Sequence, residues 1–190
     1  MSPGPGDGPY RIEPLDPDRH DRAAFSCGVA QVDNYFKKTA NKLARANNTR
    51  VYVLSAPSGD VIGFYAINAH AVAYADLPAS YARNRPAHGL IPAAFIAMIG
   101  RDARYRGGGF GGLLLADALK RIARAADELG IAVFLLDVLD CGRPERVAQR
   151  KALYAAFGFQ PLAAQPLRMV LPIHVVRTLL ADTEPAPEER

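Results

Sequence analysis

Five glycines occupy the six positions Gly107-Gly108-Gly109-Phe110-Gly111-Gly112, between an apolar stretch that ends near Arg101 and a helical-looking stretch that opens with Leu113-Leu114-Leu115. No other part of this 190-residue chain restricts its folding as much. A side chain here would block close approach of another group, or forbid the backbone angles of a sharp turn. A glycine turn between a strand and a helix exposes several backbone N–H groups, and the helix dipole adds positive potential at the same point. Together they bind phosphate without side-chain charge, and Arg104 and Arg106 add charge directly. The plainer alternative is a turn that only packs the helix on the sheet.

Around this turn, strand and helix signals alternate, which argues for an α/β or α+β fold. Tyr10 to Pro14 reads as a short strand, and Val29 to Ala46 as a helix with Val32, Phe36, Ala40 and Leu43 on its apolar side. Asn47-Asn48 supplies a stop. Arg50 to Ala56 and Val61 to Val72 flank the turn cluster Pro57-Ser58-Gly59-Asp60 and read as a hairpin. Ala93 to Ile99 reads as a buried strand, and the helix after the glycines as running to Leu129-Gly130. Ile131 to Leu139 is nearly continuous in apolar residues, as a covered central strand is. Glu145 to Phe157 reads as a helix closed by Gly158, followed by two strands, at Phe159 to Pro161 and Leu167 to Ile173. One folded domain over residues 10–180 is expected, with disordered tails at 1–9 and 181–190.

Which phosphate ligand fits is decided by frame. The glycines formally satisfy GxGxxG, the dinucleotide fingerprint. However, they follow an antiparallel-looking hairpin, and no acidic residue sits at the end of the next strand at the usual offset; Asp127 and Glu128 are still in the helix. The chain beyond the glycines is also too short for a second half-sheet. A Walker A loop is excluded because no Lys-Ser/Thr follows. In the other frame, Arg106-Gly107-Gly108-Gly109-Phe110-Gly111 reads Arg-x-x-Gly-x-Gly, and downstream stands Ala152-Leu153-Tyr154-Ala155-Ala156-Phe157-Gly158-Phe159. These two segments, in this order with a strand between, resemble the acetyl-CoA pyrophosphate loop and the tyrosine helix end of the GNAT superfamily of N-acetyltransferases. The resemblance runs from Ile12 to about Ile173.

The resemblance implies a mixed, mostly antiparallel central sheet with splayed central strands, flanked by helices. It implies that acetyl-CoA lies along the strand Ile96 to Arg101, with Ile99 and Arg101 beside it. The backbone of Gly107, Gly108, Gly109, Gly111 and Gly112, with Arg106, would hold the pyrophosphate. A substrate amine attacks the thioester directly, a backbone N–H near Met98 to Gly100 stabilises the oxyanion, and Tyr154 protonates the departing sulfur. Asp137 is a candidate general base, because a carboxylate on an apolar strand is costly unless it has a task or a partner. A structural Asp with a partner reads equally well, and His70 is a weaker candidate base.

Within the superfamily, Phe25-Ser26-Cys27-Gly28-Val29-Ala30-Gln31-Val32-Asp33-Asn34-Tyr35-Phe36 resembles the opening of the GNAT toxins of toxin–antitoxin modules. So do Gly63-Phe64-Tyr65-Ala66 and the closing Leu167 to Ile173. That resemblance implies the α-amine of aminoacyl-tRNA as acceptor, a ribbon-helix-helix antitoxin as partner and a homodimer. The chemistry agrees: an α-amine titrates near 8 and needs little help to deprotonate. Lys37, Lys38, Lys42 and Arg45 form a basic helix face that either meets RNA phosphates or is simply solvated. The alternatives are a small-molecule or protein amine as acceptor, or a non-catalytic CoA-binding module.

Composition narrows the remaining classes. The net charge of +4 is mild, but Glu184, Glu188 and Glu189 lie in the C-terminal tail, so the remainder is more basic than the total. Two cysteines, Cys27 and Cys141, are too few for a disulfide scaffold, and no metal-ligand spacing is present. No run approaches the roughly 18 apolar residues of a membrane span, and the start has no secretory pattern. A cytoplasmic setting, with no membrane partner, is therefore expected.

Overall fold

The computed structural model describes residues 10–82 and 87–181. Both expected tails lie outside these residues except for Ala181, the last residue of a helix. Seven strands lie in the order β1 (Arg11–Pro14), β2 (Arg50–Ser55), β3 (Val61–Ala73), β4 (Leu90–Arg101), β5 (Val133–Asp137), β7 (Arg168–Pro172) and β6 (Gln160–Pro161), and β1–β2, β2–β3, β5–β7 and β7–β6 pair antiparallel. The chain divides into two compact units, one of Met1–Ala69 with Phe95–Ala118 and one of His70–Ala94 with Leu119–Arg190.

In the first unit, β1 (Arg11–Pro14) pairs with β2 (Arg50–Ser55), which pairs with β3 (Val61–Ala73). Alternation sends Ile62, Phe64 and Ala66 to one face of β3, and all three are fully buried. Phe64 stacks on Phe36 with ring centroids 4.1 Å apart and meets Phe25 edge-on at 5.5 Å. Phe36 comes from the predicted helix, which is not uniform: α1 (Ala30–Asn34) passes through a π-helical turn (Tyr35–Thr39) into α2 (Ala40–Arg45). A π turn shifts the ladder by one residue and leaves carbonyls without their usual donor. Arg22 fills that need, its Nη1 donating to the carbonyls of Phe36 and Lys37 at 3.3 Å each. Asn47 takes φ 60° beyond the helix end, as the predicted stop requires.

The same unit holds the end of β4 (Leu90–Arg101) and the start of α3 (Phe110–Glu128). From Ala97 to Arg101 the strand is only half-buried, although it lies in the middle of the sheet order; the buried strand expected here is buried mainly in its earlier part. On β3, Tyr65 donates its hydroxyl to Asp117 of α3.

In the second unit, β5 (Val133–Asp137) pairs with β7 (Arg168–Pro172), and β6 (Gln160–Pro161) adds to the outer side of β7. Val133 to Leu136 are at most 2% exposed, which accounts for the unbroken apolar run. The strand is shorter than the sequence suggests and ends at Asp137. α4 (Pro144–Ala156) starts with proline in its first turn, where the missing N–H costs nothing. α5 (Ile173–Ala181) follows β7 directly and is a helix the sequence reading did not include. Val176 packs inward from it, and the Ile173 N–H donates to the Ala132 carbonyl at 3.0 Å.

Candidate functional site

β4 delivers the chain to Asp102, whose N–H donates to the Ile62 carbonyl at 2.8 Å. A single 3-10 turn (Ala103–Tyr105) follows, then Arg106 in extended conformation. Gly107 and Gly109 take φ of +82° and +70°. There a β-carbon would cost about 1–2 kcal/mol per residue. α3 starts at Phe110, so the helix begins inside the glycine run rather than after it. Among the described residues, the backbone N–H groups of Gly107 to Gly112 have no acceptor. These are the first donors of a 19-residue helix and of the turn that feeds it. Such an array holds an anion by geometry that is already in place.

The side chains around the loop keep it in shape. Phe110 is 4% exposed and meets Tyr105 and Tyr10 edge-on, at 6.1 and 5.3 Å between centroids. The Arg104 guanidinium lies 5.6 Å over the Tyr105 ring. Arg106 is exposed, and among the described residues no carboxylate pairs with it. Its Nη2 stands 3.9 Å from where a β-carbon on Gly28 would be, and Gly28 itself has φ +79°. Arg101, half-buried at the end of β4, is lowered from the usual guanidinium range by burial and then by the charge of Arg106. The Asp102 carboxylate partly offsets this at Arg101, and two cations held this close are suited to an anion. Ile99 is half-buried on the same strand.

Asp102 was not among the predicted site residues, yet its two oxygens accept four hydrogen bonds. It is 1% exposed. Oδ2 accepts the Ser26 N–H at 3.0 Å and Oδ1 the Arg104 N–H at 2.9 Å. The Arg104 side chain adds bonds from Nε at 3.0 Å and Nη2 at 3.2 Å. Burial pushes its carboxyl up, but these donors outweigh burial and hold it below the ordinary carboxylate range. The turn that Asp102 grips is itself tied to Asp33, which accepts from Cys27 N at 2.8 Å and Ser26 Oγ at 3.1 Å. The Cys27 thiol is pushed up to about 12, first by burial and then by Asp33, so it is protonated and unreactive at neutral pH.

The second unit carries Tyr154 on the last turns of α4. It is 5% exposed, and burial pushes its phenol up to about 12 against the opposing pull of Arg150. The group is therefore a proton donor throughout the neutral range. Phe159 stands edge-on to it at 6.3 Å. Arg150, one helical turn earlier, donates from Nη1 to the Leu139 carbonyl at 2.9 Å and to Cys141 Sγ at 3.3 Å. These bonds pin the segment before α4 to the tyrosine helix.

Asp137 does not sit where the apolar run suggested. As the last residue of β5 its side chain is 46% exposed, so no large desolvation cost arises. Arg168, its partner across the β5–β7 register, donates Nε and Nη2 to its two oxygens at 2.7 and 2.8 Å. His70 is exposed on β3. Lys38, Lys42 and Arg45 are exposed at helical spacing, Lys37 is half-buried, and among the described residues none of the four pairs with a carboxylate. No group of His, Cys, Asp or Glu able to hold a metal ion occurs among the described residues.

No family model matches the chain. A probable toxin TacT of Sinorhizobium fredii is 65% identical over 170 residues, 89% of this chain and 94% of that protein. A tRNA-acetylating toxin of Mycobacterium tuberculosis is 31% identical over 174 residues, covering 92% of this chain and 96% of that one. Among solved structures, AtaT complexed with acetyl-methionyl-tRNAfMet superposes with TM-score 0.79 at 22% identity, over 90% of this chain and 99% of that one. A mutant of AtaT bound to the C-terminus of the antitoxin AtaR and acetyl-CoA gives TM-score 0.73 at 20% identity, over 92% and 99%. Likeness at this level of identity shows a shared fold.

Proposed function

The chain belongs to the GNAT toxins of toxin–antitoxin modules, and from that premise we propose how its residues serve the acetylation of aminoacyl-tRNA. The protein is an acetyl-CoA-dependent N-acetyltransferase whose acceptor is the α-amine of aminoacyl-tRNA. Acetyl-CoA supplies the activated carbonyl and a thiolate leaving group.

The observation that carries the assignment of residues is the row of unused N–H donors from Gly107 to Gly112, with Arg106 and Arg101 beside it. A diphosphate needs such an array, and the residues present fit it. The half-buried stretch Ala97 to Arg101, including Ile99, supports reading this strand as the one that receives the pantetheine arm by strand-like pairing. Tyr154 serves as the proton donor to the departing sulfur; burial keeps its proton in place until it is needed. Both Asp137 oxygens are taken by Arg168, which supports the structural reading of that residue over the general-base reading. An α-amine that titrates near 8 needs no dedicated base.

The exposed stripe Lys38, Lys42 and Arg45, with Lys37 beside it, is assigned to phosphates of the tRNA acceptor. No helix among the described residues is long and apolar enough to cross a membrane. A cytoplasmic setting, a homodimer and a ribbon-helix-helix antitoxin complete the proposal. β3, β4 and α3 each run through both units, which supports reading residues 10–180 as one acetyltransferase domain.

The direct test is acetyl transfer from labelled acetyl-CoA to charged tRNA, with deacylated tRNA and free amines alongside. Label on charged tRNA alone is expected. Label on free amines but not on charged tRNA would remove the acceptor assignment.

A further inference from the structure

The geometry points to Asp102 as a positioning residue that holds the phosphate-binding loop and the Ser26–Gly28 turn in one arrangement, so that Arg106 and the glycine N–H groups converge on the same anion. This rests on the acetyl-CoA reading of the loop given above. Asp102 has no exposed surface with which to touch a ligand itself. Its two oxygens divide their work. Oδ1 takes the backbone N–H and Nε of Arg104, fixing the turn that leads into the glycines. Oδ2 takes the Ser26 N–H, from a segment 76 residues earlier in the chain, as well as Arg104 Nη2.

The backbone completes the clamp. The Ala103 N–H donates to the Ser26 carbonyl at 2.8 Å, the Tyr105 N–H to the Asp102 carbonyl at 3.2 Å, and the Asp102 N–H to Ile62 on β3. The Ser26 turn therefore has bonds to Asp102 and Ala103 on one side and to Asp33 on the other. Two residues further on lies Gly28, at φ +79°, with Arg106 Nη2 within 3.9 Å of where its β-carbon would be, so the turn and the Arg106 guanidinium are neighbours. Both Asp102 oxygens and the N–H groups of Ser26, Asp102, Ala103, Arg104 and Tyr105 are already satisfied within the protein. The N–H donors of Gly107 to Gly112 are not. Such a division is what a preorganised binding site requires: rigid support behind, unspent donors in front.

The test separates phosphate recognition from general integrity by changing the donor. S-Acetylpantetheine carries the same thioester but no diphosphate. In Asp102→Asn the charge is lost and the Arg104 contacts weaken, while side-chain volume is kept. With charged tRNA as acceptor, Asp102→Asn is expected to lower kcat/KM for acetyl-CoA about tenfold or more, the scale of one charge-assisted hydrogen bond. For S-acetylpantetheine the change is expected to stay within about twofold, because the loop contributes nothing to that donor. Should Asp102→Asn fail to fold, Arg104→Ala carries the same test, since the Arg104 side chain is 51% exposed. It is expected to show a smaller loss in the same direction, selective for acetyl-CoA. Equal losses on both donors would overturn the positioning role while leaving the acetyl-CoA reading intact. A parent enzyme that uses both donors equally well would remove the phosphate site itself, and this inference with it.

Discussion

The glycine loop and the tyrosine helix belong to different compact units and are suited to their proposed roles in opposite ways. The loop works through its backbone. Its N–H donors have no acceptor among the described residues, and side chains such as Asp102, Phe110 and Tyr105 pack behind it. In the proposed mechanism the tyrosine helix works through one side-chain atom, and burial keeps its phenol protonated. A binding element thus gains from leaving polar groups unsatisfied toward solvent, where a ligand completes them. An acid gains from being shielded from solvent.

The contrast can be tested at several strengths. Tyr154→Phe removes only the hydroxyl. It should lower kcat by about a hundredfold to ten-thousandfold, the range of general acid catalysis, and leave the dissociation constant of CoA in calorimetry unchanged. Because burial raises the Tyr154 phenol to about 12, it remains protonated where an exposed tyrosine, with pKa about 10, would lose its proton. The parent rate should therefore rise with pH as the acceptor amine deprotonates near 8. It should then show no fall between about pH 9 and 11 in a stopped-flow profile.

Gly109→Val attacks the other region. It strains a residue at φ +70° and crowds the donors. KM for acetyl-CoA should rise about tenfold or more, with kcat at saturation much less affected. If instead kcat fell and KM held, the loop would be acting on the reaction step and the contrast would fail.

A smaller effect is expected at the basic stripe. Lys38→Ala with Lys42→Ala should reduce the slope of log affinity for charged tRNA against log salt by about one to two, with no change for acetyl-CoA. Smallest is Asp137→Asn. With a half-exposed ion pair lost, thermal unfolding should register about 0.2–1 kcal/mol, and kcat should stay within about twofold of the parent. A hundredfold loss of kcat there would reinstate Asp137 as the base.

Much of this was legible in the chain because the signals are local. Glycine composition marked the loop, hydrophobic period marked the strands and helices, and Tyr154 followed by Gly158-Phe159, a Tyr-x-x-x-Gly-Phe spacing, drew attention to Tyr154. Asp102 escaped because a lone aspartate among arginines reads as a solvated charge. What makes it special is a backbone N–H at Ser26, distant in sequence, and no local pattern records such a partner. Asp137 was misplaced for a related reason. The apolar run from Ile131 to Leu139 hides the strand's end, and a shift of two residues moves the carboxylate from a covered position to an open one. α5 did leave a trace, apolar residues at Ile173, Val176 and Leu180, but it begins where β7 stops and merged with the final strand. Phe110 was assigned to the turn because its neighbours are glycines; the helix accepts them in its first turn, where few backbone bonds are at stake.

The π-helical turn at Tyr35–Thr39 has a consequence for the direction in which the lysines point. A π turn amounts to one residue more than an α-helix would use over the same rise, and each residue of an α-helix advances about 100°. Lys38, Lys42 and Arg45 are therefore aimed by a single surplus residue, which Arg22 stabilises through the two carbonyls it leaves over. Deleting one residue between Tyr35 and Thr39 would return the segment to a plain helix and swing everything after it by about a quarter turn. The amino acids of the charged stripe would be unchanged and its compass bearing would not, so the charge proposed to meet the acceptor is an angular property of the helix as much as a compositional one.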